Sequence, residues 1–160
     1  MVTMKVRWSI YVLVCCVLLC LTGCGSNKEA QRSVLRVGVV LYTQDDPFIN
    51  ALTDCLKEDL EDYETDSLKI IMTVRDGKND QKLQDEVVEE ILDAGCDILV
   101  VDLVDRTEPS NIIKMAKNEN IPVIFFNREP VREDLMQWEK LYYIGCNAEQ
   151  SGIMQGEIVA

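Results

Sequence analysis

A chain of 160 residues with a formal charge of −12 and no histidine is long enough for one domain of ordinary size. Its negative charge repels phosphate backbones and disfavours nucleic-acid binding. Without histidine neither a Ser-His-Asp nor a Cys-His catalytic arrangement can be assembled, and the usual zinc ligand is missing.

The first 23 residues read as a signal peptide. Lys5 and Arg7 form a positive n-region, and Ile10 to Leu21 is an almost wholly apolar core. That core is shorter than the roughly 20 apolar residues a membrane span needs, which counts against the competing reading of an uncleaved anchor. Leu21-Thr22-Gly23-Cys24 resembles a bacterial lipobox, with Cys24 as the acylated new N-terminus. Residues 24–33 then serve as lipidated N-terminus and polar linker. Of the seven cysteines, Cys15, Cys16 and Cys20 fall in the signal segment. Cys55, Cys96 and Cys146 remain at wide spacing, neither a disulfide framework nor a zinc pattern. Cys55 and Cys96 stand among apolar residues and read as small core fillers.

From Val34 onward, short apolar runs alternate with helical periodicity. The first run, to Leu41, is nearly continuous (Val37, Val39, Val40, Leu41), the mark of a strand buried on both faces. A helix follows with Asp46 as N-cap and Pro47 at its first position; Phe48, Leu52, Leu56 and Leu60 form its expected core face. A second strand spans residues 68–74. After the polar loop 75–80 comes a helix with a core face of Leu83, Val87, Val88, Ile91 and Leu92, closed by Gly95. A third strand lies at 97–103, a third helix at 109–118 with Ile112, Ile113, Met115 and Ala116 inward, and a fourth strand at 122–126. A polar segment through Trp138 leads to a fifth strand at 142–145. Asn147 then caps a last helix. Such alternation with short connections specifies an α/β fold: an open parallel sheet with helices on both faces, Rossmann-like in its winding. Neither GxGxxG nor GxxxxGK[ST] is present, so dinucleotide and P-loop readings lack their fingerprints.

Ligands of open α/β sheets bind at the carboxyl ends of the strands. There the sequence places Asp46 and Phe48 after strand one and Asn127 after strand four. A carboxylate and a carboxamide complement sugar hydroxyls, which both donate and accept, and an aromatic ring offers a flat face to a pyranose. On residue type alone Asp46 is equally a helix cap, Phe48 a core anchor and Asn127 a turn residue. The pair Asp45-Asp46, with Asp102 or Asp105, also resembles the magnesium site of receiver domains, but no lysine follows Phe126 at the required place.

Several stretches point to one family. They are Val37 to Tyr42 with Asp45-Asp46-Pro47-Phe48, then Asn79-Asp80-Gln81, Leu103-Val104-Asp105, and Ile121 to Pro130 (IPVIFFNREP). Tyr142-Tyr143-Ile144-Gly145 and Ser151 to Gly156 (SGIMQG) complete the set. In this order and spacing they resemble the bacterial galactose/glucose-binding proteins, receptors of sugar ABC transporters with the type I periplasmic-binding-protein fold. The resemblance covers Leu35 to Ala160. By it, Asp46 matches the sugar-hydroxyl acceptor, Phe48 the aromatic that stacks on the ring, and Asn127 the amide that bonds a hydroxyl. Pro47 stands where a polar residue is expected, Arg128 replaces a lysine, and Cys146-Asn147 replaces a Thr-Asp pair.

The resemblance implies a sugar-binding lobe at 34–145, with 146–160 as the crossover and first helix of a second lobe that is cut short. The family's two lobes close on the sugar by a hinge motion, and its calcium site lies in the other lobe. No cofactor or metal is therefore expected in this chain. The implied protein is an extracytoplasmic, lipid-anchored monomer at the cell membrane, capturing a hexose of the galactose/glucose type for an ABC permease. A sensor passing sugar occupancy to a chemoreceptor or membrane kinase would use the same pocket. An enzyme would need a carboxylate pair such as Asp46 with Glu129, against which the family resemblance stands.

Overall fold

The computed structural model describes residues 33–159. The signal segment, Cys24 and most of the linker lie outside them.

Five strands and five helices alternate along the described chain: β1 Ser33–Leu41, α1 Pro47–Asp62, β2 Leu68–Asp76, α2 Gln81–Asp93, β3 Ile98–Val101, α3 Ser110–Asn118, β4 Val123–Phe126, α4 Arg132–Leu135, β5 Leu141–Ile144 and α5 Ala148–Val159. The strands form one sheet in the order β2-β1-β3-β4-β5, and every pairing is parallel. The order reverses between β1 and β3. That reversal is where an open sheet parts its connections and leaves a crevice at the strand ends. Right-handed crossovers send α1 to one face, and α2 and α3 to the other. The α2–α3 face holds the larger core, with Val88, Ile112, Leu99 and Phe125 at its centre and Leu135 and Trp138 packed against it.

Local chemistry explains the helix starts. Asp46 caps α1 by accepting from Phe48 N at 2.8 Å and Ile49 N at 3.4 Å, with Pro47 at the first turn. Asp80 caps α2 in the same way, from Lys82 N at 2.9 Å and Leu83 N at 3.1 Å. Gly95, at φ +84°, follows the last turn of α2, a conformation that glycine adopts without steric cost. The short helix α4 lies inside the segment that sequence reading leaves irregular; four residues are too few to show a periodicity.

Two expectations fail, the first in part, on the α1 face. Of the stripe Phe48-Leu52-Leu56-Leu60, Leu56 and Leu60 pack half-buried against the core, but Phe48 and Leu52 are exposed, whereas Ile49 and Thr53 are buried. A strict four-residue spacing drifts by about 40° per step around a helix of 3.6 residues per turn, so it cannot stay on a single flat sheet. Cys55 is also exposed, while Cys96 is buried as expected and burial raises its thiol pKa. Beside α1, the β3–β5 half of this face forms an apolar groove of about 270 Å³ lined by Leu52, Cys55, Val100, Ile124, Phe126 and Ile144.

The opposite face is closely packed. A Cβ added to Gly38 in β1 would lie 2.3 Å from Ile91 Cγ2 and 3.2 Å from Cys96 Sγ. Gly38→Val is therefore expected to destabilise the fold by about 1–3 kcal/mol through overpacking. Urea denaturation measures this; an unchanged midpoint would mean that α2 shifts without cost.

Candidate functional site

The ends of β1, β3 and β4 bring together five side chains, Tyr42, Asp46, Asp102, Asn127 and Arg128, and Phe48 lies in the first turn of α1, which Asp46 caps. All three residues expected from sequence lie at strand ends on the same edge of the sheet. Asp46 is half-buried and highly engaged. Its Oδ1 caps α1, and its Oδ2 accepts from Tyr42 Oη at 2.5 Å. These bonds hold its pKa below the ordinary carboxylate value, the Tyr42 hydroxyl contributing most, and the same contact raises the tyrosine. The carboxylate keeps unused acceptor capacity, since two oxygens offer about four lone-pair sites. Capping and hydroxyl binding are thus compatible at Asp46.

Phe48 is 65% exposed. It is not a core anchor; its ring stands free at the start of α1.

Asn127 follows the last residue of β4 in the left-handed region, at φ +59°, which asparagine tolerates better than most residues. Its main chain is pinned on both sides: its N–H donates to Ile144 O at 3.2 Å, and its carbonyl accepts from Tyr143 Oη at 3.1 Å. Its side-chain Nδ2 donates to Asp102 Oδ2 at 2.9 Å.

Sequence reading gave Asp102 no part in the sugar site, Arg128 only as a departure from a family lysine, and Tyr42 only as the end of a stretch that carries the family resemblance. Asp102 immediately follows β3 and is fully buried, at 0% exposure. Its Oδ1 is buried with no hydrogen-bond partner among the described residues. An anion removed from water with so few donors prefers its neutral form. Burial accordingly pushes its pKa up to about 6, while smaller effects of the Asn127 amide, the Arg128 guanidinium and the Arg128 N–H pull the other way. The available signal was an acidic residue directly after the apolar run Ile98-Leu99-Val100-Val101.

Arg128 ties the strand ends together. Its Nη1 donates to Val104 O at 2.8 Å and Leu103 O at 3.2 Å. Its Cζ lies 3.7 Å from the centroid of the Tyr42 ring, a cation–π contact. The guanidinium of the β4 loop thus braces the β3 loop and the tyrosine that holds Asp46. Beneath them, fully buried Gln84 of α2 donates from Nε2 to Asp102 O at 2.8 Å and accepts from Val104 N at 2.9 Å through Oε1. Gln81 Oε1 accepts from Asp105 N at 3.0 Å. The Asp105 carboxylate turns back on its own loop, accepting from Thr107 N at 2.8 Å and Thr107 Oγ1 at 2.7 Å.

The arrangement offers anionic acceptors, a carboxamide and a free aromatic face. That suits a polyhydroxylated ligand better than a metal: among the described residues no group of three His, Cys, Asp or Glu side chains could hold a metal ion. At the other end of the chain, Asn147 Oδ1 accepts from Gln150 N at 2.9 Å, as expected of a cap. The described side chains from Ile144 to Val159 are all exposed. No helix among the described residues is long and apolar enough to cross a membrane.

Similarity to known proteins agrees with this geometry. Residues 37–160 match the periplasmic binding protein domain family. The chain is 34% identical over 136 residues to the D-galactose/methyl-galactoside binding periplasmic protein of Haemophilus influenzae, covering 85% of this chain and 40% of that protein. It is 29% identical over 119 residues to a putative rhizopine-binding protein of Rhizobium meliloti, covering 74% of this chain and 37% of that protein. Among solved structures, an ABC transporter solute binding protein from Bacillus halodurans with bound myo-inositol matches with a TM-score of 0.64 at 26% identity, covering 84% of this chain and 43% of the other. The chain thus spans about 40% of the length of these relatives. With its parallel sheet, its reversal of strand order between β1 and β3 and a family match over most of its length, the chain belongs to the periplasmic binding protein domain family, with the type I fold.

Proposed function

We propose that this chain forms one wall of a sugar cleft in an extracytoplasmic receptor of an ABC importer, and that its ligand is a hexose of the galactose/glucose type. The observation that carries this reading is the exposed Phe48 ring in the first turn of α1, which Asp46 caps, together with the Asn127 amide held by Asp102 at the end of β4. The relative from Haemophilus influenzae, named as a D-galactose/methyl-galactoside binding protein, supports the choice of sugar. A second lobe supplies the facing wall and closes over the ligand. The Cys24 lipid holds the receptor at the outer side of the membrane as a monomer, and the protein delivers its ligand to a permease without transforming it.

The test is calorimetry with D-galactose and D-glucose on the chain supplied with the second lobe of the Haemophilus relative. Asp46→Asn is the informative change at that position, because asparagine caps helices about as well as aspartate and removes only the anionic acceptor. It is expected to weaken binding about tenfold or more. Phe48→Ala is expected to lose roughly threefold to tenfold through stacking, with galactose and glucose affected alike. Asn127→Ala should weaken both sugars as well. The exposed positions Glu58 and Lys114 serve as controls. Site variants that bind like Glu58→Ala and Lys114→Ala would reduce the three residues to a cap, a surface ring and a turn. Radiolabelled palmitate tests the anchor, since its incorporation should vanish in Cys24→Ser.

A further inference from the structure

We propose that Asp102 is the positioning residue that decides which end of the Asn127 carboxamide faces the cleft. Asn127 has a well-anchored main chain, but its amide could present either its oxygen or its NH2 outward. Among the described residues, the side chain to which that amide is hydrogen-bonded is Asp102. Nδ2 lies 2.9 Å from Asp102 Oδ2. An ionised carboxylate can only accept a hydrogen bond, so it faces Nδ2 and excludes the carbonyl. The amide oxygen and the second N–H are then left for a ligand. A protonated carboxyl both donates and accepts, so it satisfies either orientation and releases the lock. The other Asp102 oxygen is buried with no hydrogen-bond partner among the described residues, and the nearby Arg128 N–H is engaged by Phe126 O at 2.7 Å.

The surroundings single out Asp102 as the group that titrates. Asp46 and Tyr42 face it from the end of β1, Arg128 from the end of β4, and Tyr143 from β5. Gln84, from α2, is neutral, and its amide is engaged by the main chain of Asp102 and Val104. Asp46 is held below the ordinary carboxylate value and both tyrosines above theirs. A step near pH 6 therefore belongs to Asp102. At neutral pH the cleft presents the Asn127 oxygen, which selects a ligand hydroxyl that can donate to it. Below the step this discrimination relaxes. The consequence for ligand choice rests on the sugar-binding reading; the coupling between the two side chains does not.

The experiment uses the full chain, labelled with ¹³C and ¹⁵N, without ligand, from pH 4.5 to 8. The Asp102 Cγ resonance and the Asn127 Nδ2 protons are followed together with exchange of those protons with water, referenced to exposed Asn118. The expected result is one shared midpoint near pH 6. Below it, the Nδ2 proton directed at Asp102 loses both its downfield shift and its protection from exchange. In Asp102→Asn the step at Asn127 disappears. An Asn127 amide that keeps its shift and protection while Asp102 titrates overturns the proposal, as does a step that persists in Asp102→Asn. If that variant does not fold, the wild-type comparison decides alone. A flat Asn127 response leaves the sugar-binding reading standing, and a failed galactose titration leaves the positioning role standing.

Discussion

Asp102→Asn is expected to stabilise the fold at pH 7.5 relative to its effect at pH 4.5, by about 2 kcal/mol. The folded state raises this carboxyl from the ordinary 3.8 to about 6, chiefly by burial. A raised pKa means that the folded protein binds the proton more tightly than the unfolded chain. The stability linked to it is fully present below pH 3.8 and is lost as the pH rises through about 6. Above that window the wild type keeps a buried anion with one unpartnered oxygen, and the neutral amide does not. The absolute stability of the variant also contains the cost of placing a new NH2 group in the same space, so the difference between the two pH values is the clean quantity. Urea denaturation of both proteins at pH 4.5, 6 and 7.5 reads it. Parallel pH profiles would show that Asp102 is neutral or well solvated throughout.

Gln84→Leu is expected to cost about 2–5 kcal/mol, although leucine is apolar and of similar size. The glutamine is fully buried, and its amide is the partner of both the Asp102 carbonyl and the Val104 N–H. Leucine leaves both main-chain groups without that partner, at roughly 1–3 kcal/mol each. The same loop carries Asp102 and receives the Arg128 guanidinium, so the damage should reach the site. Main-chain amide shifts at residues 102–104 and 127–128 should move along with the urea midpoint. A loss below about 1 kcal/mol would mean that water replaces the amide in full.

Gln84 also shows where pattern reading stops. It lies three and four residues before Val87 and Val88, on the buried stripe of α2, and a polar residue on such a stripe is nearly always hydrogen-bonded. Its position could be read as buried; its partners could not. Both lie 18 and 20 residues downstream, at the end of β3. Phe48 failed in the opposite sense. Its spacing suggested core, but the contact face of α1 runs through Ile49, Thr53, Leu56 and Leu60, and which side of a helix meets the sheet depends on the rotation that packing selects. Cys55, apolar in its neighbourhood, is exposed on the wall of the groove beside α1, which no described element fills.

What the sequence by itself determined is the order and type of the major elements, their parallel winding and the caps at Asp46 and Asn147. These depend on local terms: side-chain oxygens within three residues of the N–H groups they satisfy, and apolar runs whose length alone distinguishes a buried strand. It also supplied Asp46, Phe48 and Asn127 as strand-end groups, through position after an apolar run and through family likeness. Only the tertiary structure decided that the Asp46 carboxylate is shared between a helix and a tyrosine, that Arg128 spans two loops to reach that tyrosine, and that Asp102 holds Asn127. The last two of those contacts join strand ends separated by a crossover, and no periodicity in a chain records which strands become neighbours. The raised Asp102 pKa follows from the same cause: desolvation is a property of everything packed around a group, and it arises once β1, β3 and β4 lie side by side.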